Sequence, residues 1–228
     1  MGEVSVLGRP VMTAREAARQ LRIPSSTLTY WLEGGTRKGK SYQPVLREQA
    51  TGSADVTWGE VVEARYLRAY RQRHDISMQR LRPFISELRD VLGVPYPLAH
   101  AKPYVGPGQR LLLEVQERTH LPEELRAVYE VTTGQLILAH PASDFFQRVD
   151  FSEGENGEAV QMFPAGRRSP VVMRPTISSA AATVRGIRTE VIAELADARV
   201  PVEDIAQDFG ISVDYVKAAL SYEWSEAA

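Results

Sequence analysis

The chain has 228 residues and contains no cysteine. This absence excludes a disulfide framework, a cysteine-ligated zinc site, an iron–sulfur cluster and a thiol nucleophile. The sequence also has no apolar run close to the roughly 20 residues that a membrane span needs, and residues 1–10 hold no apolar stretch typical of a signal peptide. We therefore expect a cytoplasmic protein that has no membrane segment.

The sequence also lacks the spacings that mark a catalytic or cofactor site. Its four histidines have no metal-ligand spacing, and Gly106-Pro107-Gly108 is not followed by the Gly-Lys-Ser/Thr of a phosphate loop. No nucleophile–base pair is visible. We predict that the protein is not an enzyme and uses neither a metal nor another cofactor.

Charge is distributed unevenly along the chain, although the net charge is only -2. Residues 1–110 contain 17 Lys and Arg against 10 Asp and Glu, whereas residues 111–228 contain 10 against 19. Such asymmetry favours a nucleic-acid-facing first half and a second half that faces a different partner. Random variation in surface charge is the alternative interpretation.

Residues 13–33 carry the pattern of two short helices joined by a tight turn. Thr13 and Glu16 form a capping box, and small alanines follow at helical spacing. Pro24 interrupts the pattern, and Ser25 or Ser26 can cap a second helix. The sequence predicts a helix-turn-helix whose second helix lies in the major groove of DNA. A helical hairpin inside a larger domain is the plainer alternative.

A loop rich in Gly, Lys, Arg and Ser follows, over residues 34–55. We interpret it as a β-ribbon, or wing, whose cations neutralise DNA phosphates. Hydroxyl groups at the start of the second helix can contact phosphates or bases. The residues predicted to contact DNA are Arg15, Ser25, Ser26, Thr27, Thr29, Tyr30, Arg37, Lys38 and Lys40.

The rest of the chain divides into a proline-rich crossing, a segment with strand signals and a helical end. Strand signals lie at residues 111–115, 135–138 and 159–163. The predicted fold class is mainly α with some β. It comprises a winged helix-turn-helix at residues 1–92, a linker and β-containing middle region at 93–174, and a three-helix domain at 175–228.

Two families resemble parts of this sequence, and the first concerns the N-terminal part. Residues 11–32, 42–47, 56–67 and 76–82 resemble a MerR-like winged-helix protein. The wing is longer here, and the cysteine ligands of metal-sensing members and a clear coiled-coil dimer helix are absent. The resemblance implies a DNA-binding regulator, and metal sensing is not expected.

The second resemblance concerns the C-terminal part. Residues 169–177, 184–189, 202–206 and 215–220 look like the small helical domain of VapB-like antitoxins, and Gly186 and Arg188 match its usual motif. The resemblance implies the antitoxin of a type II toxin–antitoxin system. Such a protein binds and inhibits a PIN-like ribonuclease toxin, and represses its own operon by binding the operator. We expect a homodimer, because helix-turn-helix proteins usually read paired half-sites.

For the last three helices we predict toxin binding or dimerisation. The candidate residues are Arg188, Leu195, Val202, Ile205, Phe209, Val216 and Leu220. A second DNA-reading helix pair is the alternative. Four acidic residues there would then face phosphates, which argues against it: Glu203, Asp204, Asp208 and Asp214. Two further hypotheses stay open for the whole protein: a MerR-like transcriptional regulator with a small-molecule effector pocket in residues 109–174, and a protein-interaction scaffold with no DNA role.

Overall fold

The computed structural model describes residues 5–37, 39–74, 78–100, 128–129, 136–137, 147–153, 157–176 and 179–224. Its N-terminal part has two small antiparallel sheets, β1 with β4 and β2 with β3. A short 3-10 helix at Pro97–Ala99 comes after the last helix of this part. The elements in chain order are β1 (Pro10–Thr13), α1 (Ala14–Gln20), α2 (Ser25–Glu33), β2 (Gly35–Arg37), β3 (Lys40–Tyr42), β4 (Asp55–Thr57), α3 (Trp58–His74) and α4 (Met78–Leu92).

Two capping boxes form, one at Thr13 as the sequence predicts and a second at the start of α3. The Thr13 hydroxyl accepts from the Glu16 N–H, and the Glu16 carboxylate accepts from the Thr13 N–H at 2.8 Å. Thr57 and Glu60 repeat this exchange at the start of α3. Each box satisfies N–H groups that have no partner within the helix, and so fixes where the helix begins.

The start of α2 differs from the expectation. Pro24 is the N-cap residue, and no side chain accepts a hydrogen bond there. Ser25 and Ser26 lie inside the first turn, and both are exposed. Proline sets φ close to the helical value without donating a hydrogen bond, so it begins the helix and leaves the serine hydroxyls on the surface.

A five-stranded antiparallel sheet follows in the order β11-β10-β9-β8-β7. Arg185 and Gly186 join β10 to β11 with φ values of 54° and 86°, as a two-residue hairpin with positive φ at both positions requires. The strands are β7 (Val149–Phe151), β8 (Ala159–Met162), β9 (Val172–Met173), β10 (Ala182–Val184) and β11 (Ile187–Arg188). A separate antiparallel pair consists of β5 (Val128–Tyr129) and β6 (Leu136–Ile137).

Three helices then pack on one another: α5 (Thr189–Asp197), α6 (Val202–Phe209) and α7 (Val213–Trp224). Pro201 is the N-cap of α6, and Gly210 ends that helix at φ 63° in the left-handed region. Ile192, Ile205 and Val216 meet in the core with no exposed surface.

The predicted fold class is wrong. The five-stranded sheet runs across residue 174, because β7 to β9 come from the predicted middle region and β10 and β11 from the predicted helical domain. Nor does the N-terminal part stand as a separate winged helix-turn-helix, since its described residues share one buried core with the sheet. The Trp58 indole N–H donates to the Ala159 carbonyl at 2.6 Å, and the Ala182 N–H donates to the Gln20 side chain at 3.2 Å.

Short strands explain why the sequence did not reveal this sheet. β9 and β11 have two residues each, which is too few for an alternating apolar pattern to be seen. Strands β6 and β8 do lie in segments with predicted strand signals, and the third such segment, 111–115, lies outside the described residues. The boundaries at residues 92 and 174 as limits of folding units stay predictions.

Candidate functional site

The described residues among those predicted to contact DNA lie on α1, on α2 and on the β2–β3 ribbon. Arg15, Ser25, Ser26, Thr29, Arg37 and Lys40 are exposed, Thr27 and Tyr30 are half-buried, and Lys38 lies outside the described residues. The first turn of α2 carries no acidic side chain. Hydroxyls and cations therefore share this surface at the end of a helix where anions are favoured.

Beside α2 lies a cleft of about 860 Å³, which we call the tyrosine–arginine cleft. Its rings and guanidinium groups come from α2, the β2–β3 ribbon, α3 and α4, which are far apart in sequence. The residues used in the argument are Tyr30, Tyr42, Arg37, Arg68, Arg71 and Arg82. Sequence reasoning found Tyr30 and Arg37 and missed the other four, although Arg65, Arg68 and Arg71 recur three apart along one helix.

Cation–π stacking fixes the groups in this cleft. Arg37 lies 4.0 Å from the centre of the Tyr30 ring, and Arg82 lies 5.1 Å from Tyr30 and 5.6 Å from Tyr42. The two rings meet edge to face, with centroids 6.2 Å apart. Such contacts contribute about 0.5–1 kcal/mol each at exposed sites, and they order long side chains before any ligand binds.

One glycine makes the turn from α2 into the ribbon possible. Gly34 has φ 73°, and a Cβ built there would lie 2.3 Å from the Tyr42 carbonyl oxygen. Any other residue would push the ribbon away from α2, because real Cβ atoms do not approach a backbone oxygen so closely. Gly34 therefore sets the distance between Tyr30 and Tyr42.

A buried arginine holds the loop after the ribbon in place. Arg47 donates to Glu60 at 2.7 Å, to the Asp55 carbonyl at 2.8 Å and to the Thr51 hydroxyl at 2.6 Å, and it also pairs with Glu33. Since Glu33 ends α2 and Glu60 lies in the first turn of α3, this one side chain ties both helices together. Arg47 thereby holds α2, which carries part of the basic surface, at a fixed position relative to α3.

The predicted residues of the last three helices divide by burial. Arg188 is exposed, whereas Leu195, Val202 and Phe209 are half-buried and Ile205, Val216 and Leu220 are buried. The three buried residues hold α5 to α7 together, so only the first four reach the surface. Around them the surface is acidic: residues 189–224 contain eight acidic and two basic side chains, and Glu203, Asp204, Asp208 and Asp214 are exposed.

Two features were sought in the part of the chain that the structure describes. No group of three or more His, Asp or Glu side chains there is placed to hold a metal ion. No helix among the same residues combines the length and apolarity needed to cross a membrane. The effector pocket hypothesised for residues 109–174 falls largely outside the described residues.

Comparison with known proteins places the chain among relatives of the same length. It is 33% identical over 226 residues to the Mycobacterium tuberculosis protein named "Uncharacterized protein Rv2308", which covers 97% of this chain and 93% of that one. The chain therefore belongs to the family of Rv2308. No protein-family model matches it.

Two further similarities bear on fold and function. The chain is 26% identical over 225 residues to the M. tuberculosis protein named "Putative antitoxin VapB45", covering 92% of each. It also matches the crystal structure of M. tuberculosis Rv2018 with a TM-score of 0.69 and 26% identity, over 92% of this chain and 97% of that one. The resemblance to VapB-like antitoxins thus agrees with a relative of similar length, whereas neither comparison names a MerR-like protein.

Proposed function

We propose that this protein is the antitoxin of a toxin–antitoxin pair, which binds and inhibits a PIN-like ribonuclease toxin and represses its own operon by binding DNA. The observation that carries the antitoxin role is the similarity to the protein named "Putative antitoxin VapB45" over 92% of the chain. That similarity supports the antitoxin role, and the DNA-binding and toxin-binding activities are argued separately from the two charged surfaces.

The DNA-binding activity is supported by the tyrosine–arginine cleft and the exposed face of α2. Arg37, Arg71 and Arg82 line the cleft together with Thr27 of α2. The exposed Lys40 lies 5.6 Å from the centre of the Tyr42 ring and adds a further positive charge. Lysine and arginine contacts to phosphates supply most of non-specific DNA affinity, and short polar side chains then contact base edges. We expect a homodimer in the cytoplasm, and no catalytic activity of its own.

The toxin-binding activity is supported by the charge of α5 to α7. A nuclease that binds nucleic acid carries positive charge near its substrate, and the exposed Glu203, Asp204 and Asp208 present the opposite charge. Complementary charge steers two proteins together and raises the association rate. Arg188 and the half-buried Leu195, Val202 and Phe209 border this surface, and we propose that they complete it.

The DNA activity is tested on the full chain with DNA from upstream of its own gene. Changing Arg37→Gln together with Lys40→Gln removes two exposed cations. We expect about tenfold weaker binding near 0.15 M salt, and a fall of about two in the slope of log affinity against log salt. Fluorescence anisotropy across a salt series measures both quantities.

The matched control is Arg199→Gln with Lys217→Gln, which also removes two exposed cations but from the acidic helices. If the Arg37/Lys40 and Arg199/Lys217 variants lost DNA affinity equally, or if neither lost any, the surface of α2 and the ribbon would not be the DNA-binding surface. Light scattering on the same samples gives the oligomeric state.

The toxin activity is tested by co-expression with a PIN-like nuclease, the first choice being one encoded beside this gene if the gene neighbourhood contains it. Cutting the chain at residue 174 is unsuitable, since the five-stranded sheet crosses that point and would lose two strands. The variant is instead Arg188→Ala with Phe209→Ala. We expect loss of co-purification and of nuclease inhibition by a variant that still folds, although its Tm falls because Phe209 packs against the core. Retention of both by a folded variant would exclude these residues from the interface.

A further inference from the structure

The five-stranded sheet carries a second basic cleft, which we call the arginine groove. It encloses about 720 Å³ and is formed by β9 and the residues after it, by the β10–β11 hairpin and by α7. The lining residues used in the argument are Arg174, Thr183, Arg185, Arg188 and Tyr215. Among the residues that the structure describes, none that lines this groove is acidic, and none also lines the tyrosine–arginine cleft.

Strand register assembles the middle of the groove. Thr183 of β10 pairs with Val172 of β9 on one side and with Arg188 of β11 on the other. Directly paired residues point to the same face of a sheet, so these three side chains form a row across three strands. The neighbours of Thr183 along its strand, Ala182 and Val184, are buried. The row therefore lies on the face turned away from the core.

Two further arginines lie on either side of this row. Arg174 follows the end of β9, and Arg185 follows the end of β10. Because β9 and β10 are antiparallel, their ends lie at opposite ends of the groove. The three exposed arginines thus come from three different strand ends and line one groove.

These guanidinium groups keep donors for a ligand. Arg174 donates through Nε to the Gln161 side chain, which leaves both of its Nη groups. The side chains of Arg185 and Arg188 make no hydrogen bond or ion pair with any residue that the structure describes. Hydrogen bonds from Thr13 lower the pKa of the Glu16 carboxyl group of α1, and Arg188 adds a smaller attraction to that carboxylate.

The arrangement of donors fits a terminal phosphate better than a carboxylate. A terminal phosphate has three acceptor oxygens and a charge of about -1.5 to -2, so several guanidinium groups can bind it from different sides. A carboxylate has two oxygens in one plane, and one guanidinium group already pairs with both. The Tyr215 hydroxyl lines the same groove and can donate to a remaining phosphate oxygen.

The size of the groove is that of a small-molecule site, since such sites enclose about 300–1,000 Å³. We propose that the arginine groove binds a small molecule through a terminal phosphate group, with Arg174, Arg185 and Arg188 as its donors. This inference depends on neither the DNA-binding nor the toxin-binding activity proposed above.

The experiment uses the full chain with Arg174→Gln and Arg185→Gln, and leaves Arg188 in place because it belongs to the proposed toxin surface. The control is again Arg199→Gln with Lys217→Gln. It is matched because Arg199 is exposed and has φ 66°, close to the 54° of Arg185. The probe is sodium tripolyphosphate, which has terminal phosphates.

Two quantities are measured on all three proteins. The first is the rise in Tm across a tripolyphosphate series, because a ligand that binds only the folded state raises Tm. The second is hydrogen exchange at residues 182–188, which locates the binding. We expect tripolyphosphate to raise Tm and slow this exchange in the wild type and the control. In the Arg174/Arg185 variant we expect about tenfold weaker apparent affinity and no slowing at 182–188.

The proposal is overturned if tripolyphosphate leaves the wild type unchanged, if the variant responds as the wild type does, or if the control loses as much as the variant. It is also overturned if the variant loses only DNA affinity or only nuclease co-purification, since the groove would then contact a macromolecule. If the wild type binds neither DNA nor nuclease while the expected tripolyphosphate result holds, the proposed function fails and the phosphate site stands.

Discussion

The surface of α2, the ribbon and α3 is basic and aromatic, whereas the surface of α5 to α7 is acidic. The first brings arginines and tyrosines into stacked contact, and the second exposes Glu203, Asp204 and Asp208 over a buried apolar centre. Charge of opposite sign on two faces suits two different partners. The difference shows that one chain can carry two surfaces of opposite charge over a single shared core.

The N-terminal part contacts the five-stranded sheet and α5 to α7 through α1, through α3 and through loop residues such as Arg22, which donates to the Tyr222 carbonyl. Arg19 pairs with Glu190 at 2.6 Å, Gln20 accepts from Ala182, and Trp58 donates to Ala159. Helix α1 therefore lies between the basic and the acidic surface. Four predictions test whether the two regions behave as one folding unit with two surfaces.

The largest effect is expected from Trp58→Ala. Trp58 is fully buried, and its loss creates a cavity and leaves the Ala159 carbonyl without its indole donor. We expect about 3–5 kcal/mol of lost unfolding free energy. Urea denaturation measures it, and hydrogen exchange should rise in both α3 and β8. The control Trp224→Ala, at a 51% exposed position, should change stability by less than about 0.5 kcal/mol. If hydrogen exchange became faster only in the N-terminal part, the two regions would be separate folding units.

The next effect concerns pH and the buried Glu63. Burial raises the pKa of its carboxyl group from 4.5 to about 8, and the Arg89 guanidinium, 3.9 Å away, lowers it by less because that distance is too long for a hydrogen bond. The folded state therefore keeps this proton between pH 4.5 and 8, where the unfolded state has lost it.

Stability should accordingly fall as pH rises through that window, by at most about 1.4 kcal/mol per pH unit from this group. Glu63→Gln copies the protonated form, so it should match the wild type near pH 5 and be more stable than the wild type above pH 8. Urea titrations at several pH values measure the difference. Parallel pH profiles for both proteins would show that Glu63 is ionised throughout.

A smaller effect is expected from neutralising the acidic face with Glu203→Gln, Asp204→Asn and Asp208→Asn. These side chains are exposed, so the fold should be unchanged. We expect the association rate with the toxin to fall about tenfold at low salt, and DNA affinity to change by less than about twofold. Stopped-flow mixing and anisotropy measure the two. A large loss of DNA affinity would contradict the assignment of separate faces.

The smallest effect is expected from the ion pair that joins the two regions, Arg19 with Glu190. The Arg19 side chain is 59% exposed, so solvent screens the attraction. A double-mutant cycle with Arg19→Gln and Glu190→Gln should give a coupling below about 1 kcal/mol. A larger coupling would mean that this pair, rather than the shared apolar core, holds the regions together.

Local features were predictable because they depend on neighbouring residues. The capping boxes at Thr13 and Thr57 and the start of α6 at Pro201 follow from short-range rules. The prediction that Ser25 or Ser26 caps α2 is wrong, because Pro24 occupies the N-cap position and both serines lie in the first turn. The residues predicted to contact DNA or toxin are exposed in some cases and buried in others, and their roles stay predictions.

The sequence by itself determined where most helices begin, that the first half is basic and the second acidic, and that cysteine chemistry is absent. Only the tertiary structure decided that one sheet crosses residue 174, and that Tyr42, Arg68 and Arg82 join Tyr30. The physical reason is how far apart in the sequence the interacting residues lie. Helix starts are set within a few residues by hydrogen bonds to nearby groups. Sheet partners and clefts depend on contacts between segments that are distant in sequence. Strands of only two residues are too short to show a sequence pattern that would predict those contacts.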